Sequence, residues 1–200
     1  LQISIKINEK LQLQHNLSPF YNNIGYIHHS LGNYPKAIEY YNKALNLHIE
    51  FNDKKGISMA YLGLGSVYGD LKKYEISYKY FNKGLSIAIA NNDDFTASYF
   101  YNHIGNLYNK TNNLNKALHF FNKGLILKKK LKDTYGISES YRSISYIYSK
   151  QNNYDKSLYF ANKALNIACE NDLFVSKIDA LYNLSIACEN AENYKDALKF

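Results

Sequence analysis

The sequence predicts an all-α fold, a right-handed α-solenoid of antiparallel helix pairs. A pattern that begins at Tyr21 begins again at Tyr61, Tyr101 and Tyr141, a step of 40 residues, and such a period is typical of arrays in which each unit packs on its neighbours. Apolar residues within each copy are spaced by three and four, which places them on one face of a helix. The chain has only 2 prolines, which suits an almost wholly helical protein.

Each repeat is predicted to contain a first helix (helix A), a tight turn and a second helix (helix B). Ser18 and Pro19 form a favourable helix start, because serine accepts bonds from free N–H groups and proline fits the first turn. Clusters of Asn, Asp, Gly and Lys mark the turns. We predict one continuous array, with the end of an earlier helix B at 1–16, repeats at about 17–56, 57–96, 97–136 and 137–176, and a partial repeat at 177–200.

Small residues recur at one position of helix A, as Gly25, Gly65 and Gly105 and then Ser145 and Ser185. Glycine inside a helix costs about 1 kcal/mol relative to alanine. Its return at the same position therefore indicates a geometric requirement, and we expect helix A to approach helix B closely there.

The aligned positions resemble the tetratricopeptide repeat. In repeat one the matching residues are Tyr21, Ile24, Gly25, Tyr34, Ala37, Tyr41, Ala44 and Leu45. In repeat three they are Tyr101, Ile104, Gly105, Tyr108, Ala117, Phe121, Gly124 and Leu125. The period is longer than the usual repeat of about 34 residues. His28 replaces a tyrosine and Ala161 replaces an aromatic residue, and we expect both departures to loosen the local packing.

Long repeats of this kind are similar to those of bacterial sensor kinases and regulators and of kinesin-light-chain-like scaffolds. The resemblance implies a module that is not an enzyme, carries no cofactor and binds a protein or peptide in a concave groove lined by helix A. Because the chain starts and stops within helical patterns, we expect it to be a fragment of a larger signalling or scaffold protein. The alternative is a structural spacer that self-associates end to end.

The face of helix A opposite its apolar stripe is the predicted binding surface. Asparagine recurs there in repeat three, and its amide both donates and accepts hydrogen bonds, which suits the backbone of an extended peptide. The candidate residues are Asn22, Tyr26, His29, Leu62, Ser66, Asn102, Asn106, Asn109, Lys110, Arg142, Tyr146 and Lys150. Because asparagine is abundant on the outer faces as well, a solvated helix surface is the competing interpretation. Some family members grip a C-terminal carboxylate here, but Asn102 stands where their first lysine would be.

The net charge is +7, which permits attraction to acidic partners. RNA or acidic-partner binding through the basic surface is a weaker alternative, and we consider nucleic acid an unlikely ligand. The sequence contains no apolar run of the roughly 20 residues that a membrane span requires. Its 2 cysteines lack the spacing of paired ligands, which favours a reducing compartment, and we predict a cytoplasmic protein.

Overall fold

The computed structural model describes residues 17–190, and the predictions for 1–16 and 191–200 lie outside this range. The described part is helical apart from short turns and contains no strand. Its helices are α1 over residues 17–30, α2 Tyr34–Glu50, α3 Lys54–Asp70, α4 Tyr74–Ala90, α5 Asp94–Lys110, α6 Leu114–Lys130, α7 Thr134–Lys150, α8 Tyr154–Glu170 and α9 Phe174–Asn190. Odd-numbered helices are helix A of their repeat and even-numbered helices are helix B.

Every turn between these helices uses the same backbone device. The middle residue of the turn has a positive φ, which Gly and Asn tolerate best. These residues are Gly32, Asn52, Lys72, Asn92, Asn112, Lys132, Asn152 and Asp172. The residue after them caps the next helix in most turns, as when Asp53 accepts a hydrogen bond of 3.0 Å from the backbone N–H of Gly56. Because of this cap, α3 begins at Lys54, a few residues before the predicted repeat boundary.

The described residues form two compact units, one ending at Thr96 and one beginning at Ala97. In the first unit α2 packs on α3 and α3 on α4. In the second unit α6 packs on α7, α7 on both α8 and α9, and α8 on α9. The consecutive packing of antiparallel helices is therefore confirmed within each unit.

The predicted close approach of helix A to helix B is confirmed at the recurring glycines. A Cβ atom on Gly25 would lie 2.9 Å from the Tyr41 ring, and a Cβ atom on Gly105 would lie 2.8 Å from the Phe121 ring. Both distances are shorter than a packed carbon contact of about 3.5–4.0 Å. The absence of a side chain at these positions lets an aromatic ring of helix B lie directly on the backbone of helix A.

Repeat four replaces this contact with a hydrogen-bonded one. Ser145 stands at the glycine position and Ala161 at the aromatic position, and both are buried. The Ser145 hydroxyl donates to the backbone carbonyl of Ser157 at 2.8 Å, and the Ser157 hydroxyl donates to the carbonyl of Ser145 at 3.0 Å. Two reciprocal hydrogen bonds therefore join the helices where the ring is missing, which corrects the expectation that Ala161 loosens the local packing.

A second aromatic contact joins the two helices of every described repeat. A ring of helix A stacks on a ring of helix B at centroid distances of 5.4–5.5 Å, in the pairs His28–Tyr40, Tyr68–Tyr80, Tyr108–Phe120 and Tyr148–Phe160. The His28 ring lies within 12° of parallel to the Tyr40 ring. His28 therefore keeps the ring contact that tyrosine makes in the other repeats, while its buried Nδ1 atom has no hydrogen-bond partner among the described residues.

Asp93 is expected to make stability depend on pH in acid. Its carboxylate accepts hydrogen bonds from the backbone N–H of Thr96 at 2.9 Å and from its hydroxyl at 2.6 Å. Burial acts to raise the pKa of Asp93, but the bonds from Thr96 and the nearby charge of Lys55 outweigh it and hold the pKa below its usual value of 3.8. This contribution is complete above the unfolded pKa and is lost as the pH falls through the folded pKa.

The variant Asp93→Asn isolates this effect, because asparagine keeps a capping oxygen but does not titrate. We expect the free energy of unfolding, measured by urea titration between pH 2.5 and 6, to fall less steeply in acid for the variant. Identical slopes for the two proteins would contradict the assignment.

Candidate functional site

Four of the predicted binding residues come together in the second unit. Asn106 and Asn109 of α5 face Arg142 and Tyr146 of α7 across a cleft of about 260 Å³, whose other lining residues are Phe121 and Ser143. Positions 106, 109, 142 and 146 all lie on the face of helix A that the sequence predicted. Two adjacent repeats therefore contribute to one concave feature, which is called the α5–α7 cleft below.

Small residues and one aromatic ring shape the α5–α7 cleft. Phe121 lies at its base and is only 1% exposed, because the ring rests on Gly105. Ser143 projects little into the space, and its hydroxyl donates to the backbone carbonyl of Glu139 at 3.1 Å. Phe121 thus supplies an apolar surface to the cleft, while Asn106, Asn109 and Arg142 supply polar ones.

The polar walls offer both hydrogen bonding and positive charge. Lys150 donates to the side-chain oxygen of Asn109 at 3.0 Å, and its Nζ lies 5.8 Å from the centre of the Tyr146 ring. An amide oxygen carries no net charge, so the contact with Asn109 leaves the positive charge of Lys150 in place next to two lining residues of the cleft. Amides, a guanidinium and a tyrosine in one cleft can hold a peptide backbone and an acidic group.

Asn102 occupies a different environment from the one expected of an exposed asparagine row. It is 6% exposed, and its amide nitrogen donates to Glu139 Oε2 at 3.3 Å. The side-chain oxygen of Asn102 faces Gly124 of α6. Gly124 has no side chain and therefore leaves room for this oxygen. Asn102 is thus enclosed between three helices, whereas Asn106, one turn further along α5, is exposed.

Lys128 completes the polar cluster around Asn102. Its side chain is 1% exposed, and Nζ donates to Glu139 Oε2 at 3.0 Å and lies 5.9 Å from the centre of the Tyr99 ring. The Glu139 side chain is 37% exposed, so the cluster reaches the surface through this carboxylate. Burial raises the pKa of Tyr99, and the carboxylates of Asp133 and Glu139 raise it further.

The sequence contained a signal for this cluster that the helical pattern alone did not reveal. Lys128 stands at a helix-B position where the neighbouring repeats have Ala88 and Ala168, both buried. A lysine aligned with buried alanines indicates an internal ion pair. Lys128 is therefore buried, whereas Lys129 and Lys130, which follow it, are exposed.

The first unit contains a related polar cluster. His48 is 2% exposed; its Nε2 lies 3.0 Å from the amide nitrogen of Asn22, and its Nδ1 lies 2.8 Å from Asp53 Oδ2. His29 contacts Asp70 Oδ2 at 2.8 Å, which links α1 to α3. Asn22 and His29 thus make contacts between helices.

The remaining candidates of the first unit differ in their exposure. Tyr26 is 65% exposed, and Leu62 and Ser66 are half-buried. The Ser66 hydroxyl donates to the carbonyl of Leu62 within α3 at 2.9 Å. Lys110, at the end of α5 in the second unit, is exposed.

Glycine makes room for the buried polar side chains at two helix starts. A Cβ atom on Gly56 would overlap the His48 ring, and a Cβ atom on Gly136 would lie 2.8 Å from Lys128 Cδ. The equivalent positions of the other repeats are Thr96 and Ser176, and these follow Ala88 and Ala168. Successive repeats thus alternate between two combinations. One combination is a large buried polar residue followed by glycine, and the other is alanine followed by a hydroxyl residue.

Among the residues that the structure describes, no three His, Cys, Asp or Glu side chains are grouped so that they could hold a metal ion. No helix in that part of the chain combines the length and apolar character needed to cross a membrane.

Solved structures of known proteins share this fold. BtubC (BKLC) from P. vanneervenii matches with a TM-score of 0.82 at 15% identity, over 93% of this chain and 77% of that chain. A Rap protein in complex with Competence and Sporulation Factor matches with a TM-score of 0.76 at 20% identity, over 91% of this chain and 51% of that chain. Aspartyl phosphate phosphatase F from Bacillus subtilis gives 0.82 at 16% identity, over 93% and 50%. No curated protein matches the sequence.

These likenesses and the paired helices confirm the predicted α-solenoid class. The tetratricopeptide repeat model matches residues 17–90 and 95–170, which is most of the chain. The chain belongs to the tetratricopeptide repeat family.

Proposed function

We propose that this chain binds an extended peptide or segment of a partner protein along the helix-A face, without catalysing a reaction, and that the α5–α7 cleft anchors the ligand. The observation that carries the proposal is the convergence of Asn106, Asn109, Arg142 and Tyr146 on one cleft. Helices α5 and α7 belong to successive repeats, so a segment lying across them meets side chains that the fold holds in register.

The chemistry of the cleft favours a ligand with free backbone groups and an acidic side chain. The amides of Asn106 and Asn109 can pair with a peptide N–H and C=O, as an extended backbone offers both at every residue. Arg142 can bind a carboxylate through two parallel hydrogen bonds. Tyr146 is 44% exposed and offers flat contact area at a low cost in side-chain entropy.

The structural neighbour that is a Rap protein in complex with Competence and Sporulation Factor supports this direction, because a protein of the same fold forms that complex. The two proteins are 20% identical, so the Rap complex does not identify the ligand of this chain. The chemistry of the ligand is inferred from the side chains of the α5–α7 cleft.

The test is a selection of ligands followed by mutation of the cleft. A random 12-residue peptide library is screened against the whole chain, and the affinity of a selected peptide is measured by fluorescence anisotropy. We expect Asn106→Ala combined with Arg142→Ala to weaken binding at least tenfold, because the two changes remove an amide pair and a charged anchor worth roughly 1.5 kcal/mol or more together.

The control variant is Asn122→Ala combined with Asn162→Ala. Both residues lie on exposed helix-B surfaces, where each donates to a carbonyl of its own helix, and we expect the peptide to bind this variant normally. If the control and the cleft variant weaken binding equally, the cleft is not the site. Failure to select any peptide, together with self-association in sedimentation velocity, would favour the structural spacer.

A further inference from the structure

Two lysines from different helices meet over one aromatic ring in the second unit. Lys129, near the end of α6, has its Nζ 5.4 Å from the centre of the Tyr141 ring of α7. Lys163 of α8 has its Nζ 5.6 Å from the centre of the same ring. The two ammonium groups are therefore no further apart than these two distances together. Because α7 packs on both α6 and α8, three helices fix this arrangement, which is called the Tyr141 lysine pair below.

One member of the pair belongs to the packing of every repeat. The position of Lys163 carries a lysine in all four full repeats, as Lys43, Lys83, Lys123 and Lys163. In the first unit, Lys83 Nζ lies 5.7 Å from the centre of the Tyr61 ring, and Tyr61 aligns with Tyr141. A lysine stem can cover apolar ring surface while its charged end stays near water. The packing of the repeat therefore explains Lys163 by itself.

The other member has no lysine counterpart in the earlier repeats. The residues aligned with Lys129 in repeats one and two are Ile49 and Ile89, which are 52% and 54% exposed. Lys129 is exposed as well, whereas Lys128, one residue earlier, is buried. The fold thus accepts an isoleucine at this position. Lysine there adds a second positive charge beside a ring that already has one.

Aromatic rings hold the pair in place. A ring face attracts a cation without neutralising its charge. Lys163 Nζ also lies 4.5 Å from the centre of the Tyr159 ring, and a hydrogen bond with the Tyr159 side chain raises the pKa of Lys163. Both side chains therefore present positive charge at a position that the surrounding helices define.

We propose that the Tyr141 lysine pair binds the phosphate group of a phosphotyrosine side chain on a partner protein. A phosphomonoester carries a charge of about −1.5 to −2 at neutral pH, so it can use both ammonium groups at once. A carboxylate carries a single charge. Lysine binds phosphate as a point charge on a flexible stem, so both side chains can close on a group between them.

The surroundings of the pair favour phosphotyrosine over a free phosphate ion or a nucleic acid. Tyr159 is 54% exposed beside Lys163, and its ring offers flat contact area to the aromatic ring that carries the phosphate. A free ion would not use this area. A nucleic acid strand carries one charge per about 3.4 Å along its length, whereas the pair gathers its two charges around one ring.

The probe is N-acetyl-O-phosphotyrosine amide, titrated into the whole chain while NMR follows the side-chain signals of labelled lysines. We expect saturable shifts at Lys129 and Lys163, and none with N-acetyltyrosine amide. Lys129→Ile introduces the residue of the earlier repeats and should weaken binding about fivefold, the upper end for one exposed charge contact. Lys129→Arg should preserve binding, because it keeps the charge.

The matched control is Lys116→Ile, on the same helix. Lys116 is exposed and also lies over a ring, with Nζ 5.2 Å from the centre of Tyr108, and we expect this variant to bind the probe normally. The inference is overturned if the control loses as much affinity as Lys129→Ile. It is also overturned if N-acetylglutamate amide or inorganic phosphate binds as tightly as the probe, or if poly(U) or phosphoinositide vesicles bind more tightly and lose that binding in Lys129→Ile.

A gain of binding provides a test that a damaged fold cannot imitate. Ile49→Lys places a lysine in the first unit at the position of Lys129, where Lys83 over Tyr61 already corresponds to Lys163. We expect the probe to cause saturable shifts at Lys83 in this variant and not in the wild type. Unchanged Lys83 signals in the variant would contradict the role assigned to two lysines around one ring.

The Tyr141 lysine pair is distinct from the α5–α7 cleft. Tyr141 directly precedes Arg142 of the cleft, and consecutive residues of a helix point about 100° apart. A peptide selected for the cleft should therefore bind Lys129→Ile with unchanged affinity, and the cleft variant should bind the phosphotyrosine probe normally. Competition between the two ligands would contradict separate sites.

Discussion

Gly65→Ser is expected to destabilise the protein by about 1–3 kcal/mol, and the additional change Phe81→Ala is expected to cost much less in this variant than in the wild type. Phe81 is 3% exposed, and its ring lies against Gly65 so closely that an added Cβ would overlap it. A serine there forces the ring or the helix to move. In the wild-type background, Phe81→Ala alone should cost about 3–5 kcal/mol through the cavity it leaves.

The double variant imitates an arrangement that already exists in this chain. Repeat four combines Ser145 with Ala161 and joins its helices through Ser157. Repeat two has Ser77 at the position of Ser157, and the Ser77 hydroxyl already donates to the Gly65 carbonyl at 2.7 Å. Serine at position 65 with alanine at position 81 would therefore recreate the reciprocal serine contact.

A double-mutant cycle measures this coupling. The free energies of unfolding of the wild type, both single variants and the double variant are determined by urea titration. We expect the double variant to be more stable than the sum of the single effects predicts by at least about 1 kcal/mol. If the effects on the free energy of unfolding are strictly additive, the glycine at position 65 and the ring at position 81 contribute to stability independently.

Glu139→Ala is expected to destabilise the second unit by about 2–4 kcal/mol, more than Lys128→Met does. Removing the carboxylate leaves the ammonium of Lys128 enclosed, with a side chain that is 1% exposed and cannot reach water without unpacking. Lys128→Met instead removes the enclosed charge. It leaves Glu139, which is 37% exposed, still solvated and hydrogen bonded to Asn102.

The comparison uses thermal and urea unfolding of both variants and of Lys128→Met combined with Glu139→Gln. We expect the order of stability to be Lys128→Met above Glu139→Ala, with the double variant close to Lys128→Met. An equal loss for the two single variants would mean that the pair acts through its attraction alone and that desolvation of Lys128 contributes little.

Local sequence patterns were sufficient to predict most of the fold. Turn positions followed from Asn, Asp and Gly clusters, and the contact of Gly105 with Phe121 followed from the return of glycine at one helical position. Neither inference needed long-range information, because each repeat is held together by contacts close in sequence and each copy shows the same constraint.

The candidate site was harder to predict. A helical pattern shows on which side of the helix a residue lies, but it does not show which residues of other helices cover it. Asn102 and Asn106 lie one turn apart on α5, yet Asn102 is enclosed and Asn106 is exposed. The difference depends on Gly124 and Lys128 of α6 and on Glu139 of α7, which are distant in sequence. Alignment of the repeats with one another, which sets Lys128 against Ala88 and Ala168, is the comparison that reveals it.

The alternation of Gly56 and Gly136 with Thr96 and Ser176 limits how such a chain can change its length. Removing the stretch from Lys54 to Asp93 would keep the 40-residue period intact but bring His48 to a helix start that has Thr96 in place of glycine, and the ring would have no space. Removing 80 residues would instead match His48 with Gly136. Loss of two repeats together would therefore keep a glycine beside the buried histidine, whereas loss of one repeat would not.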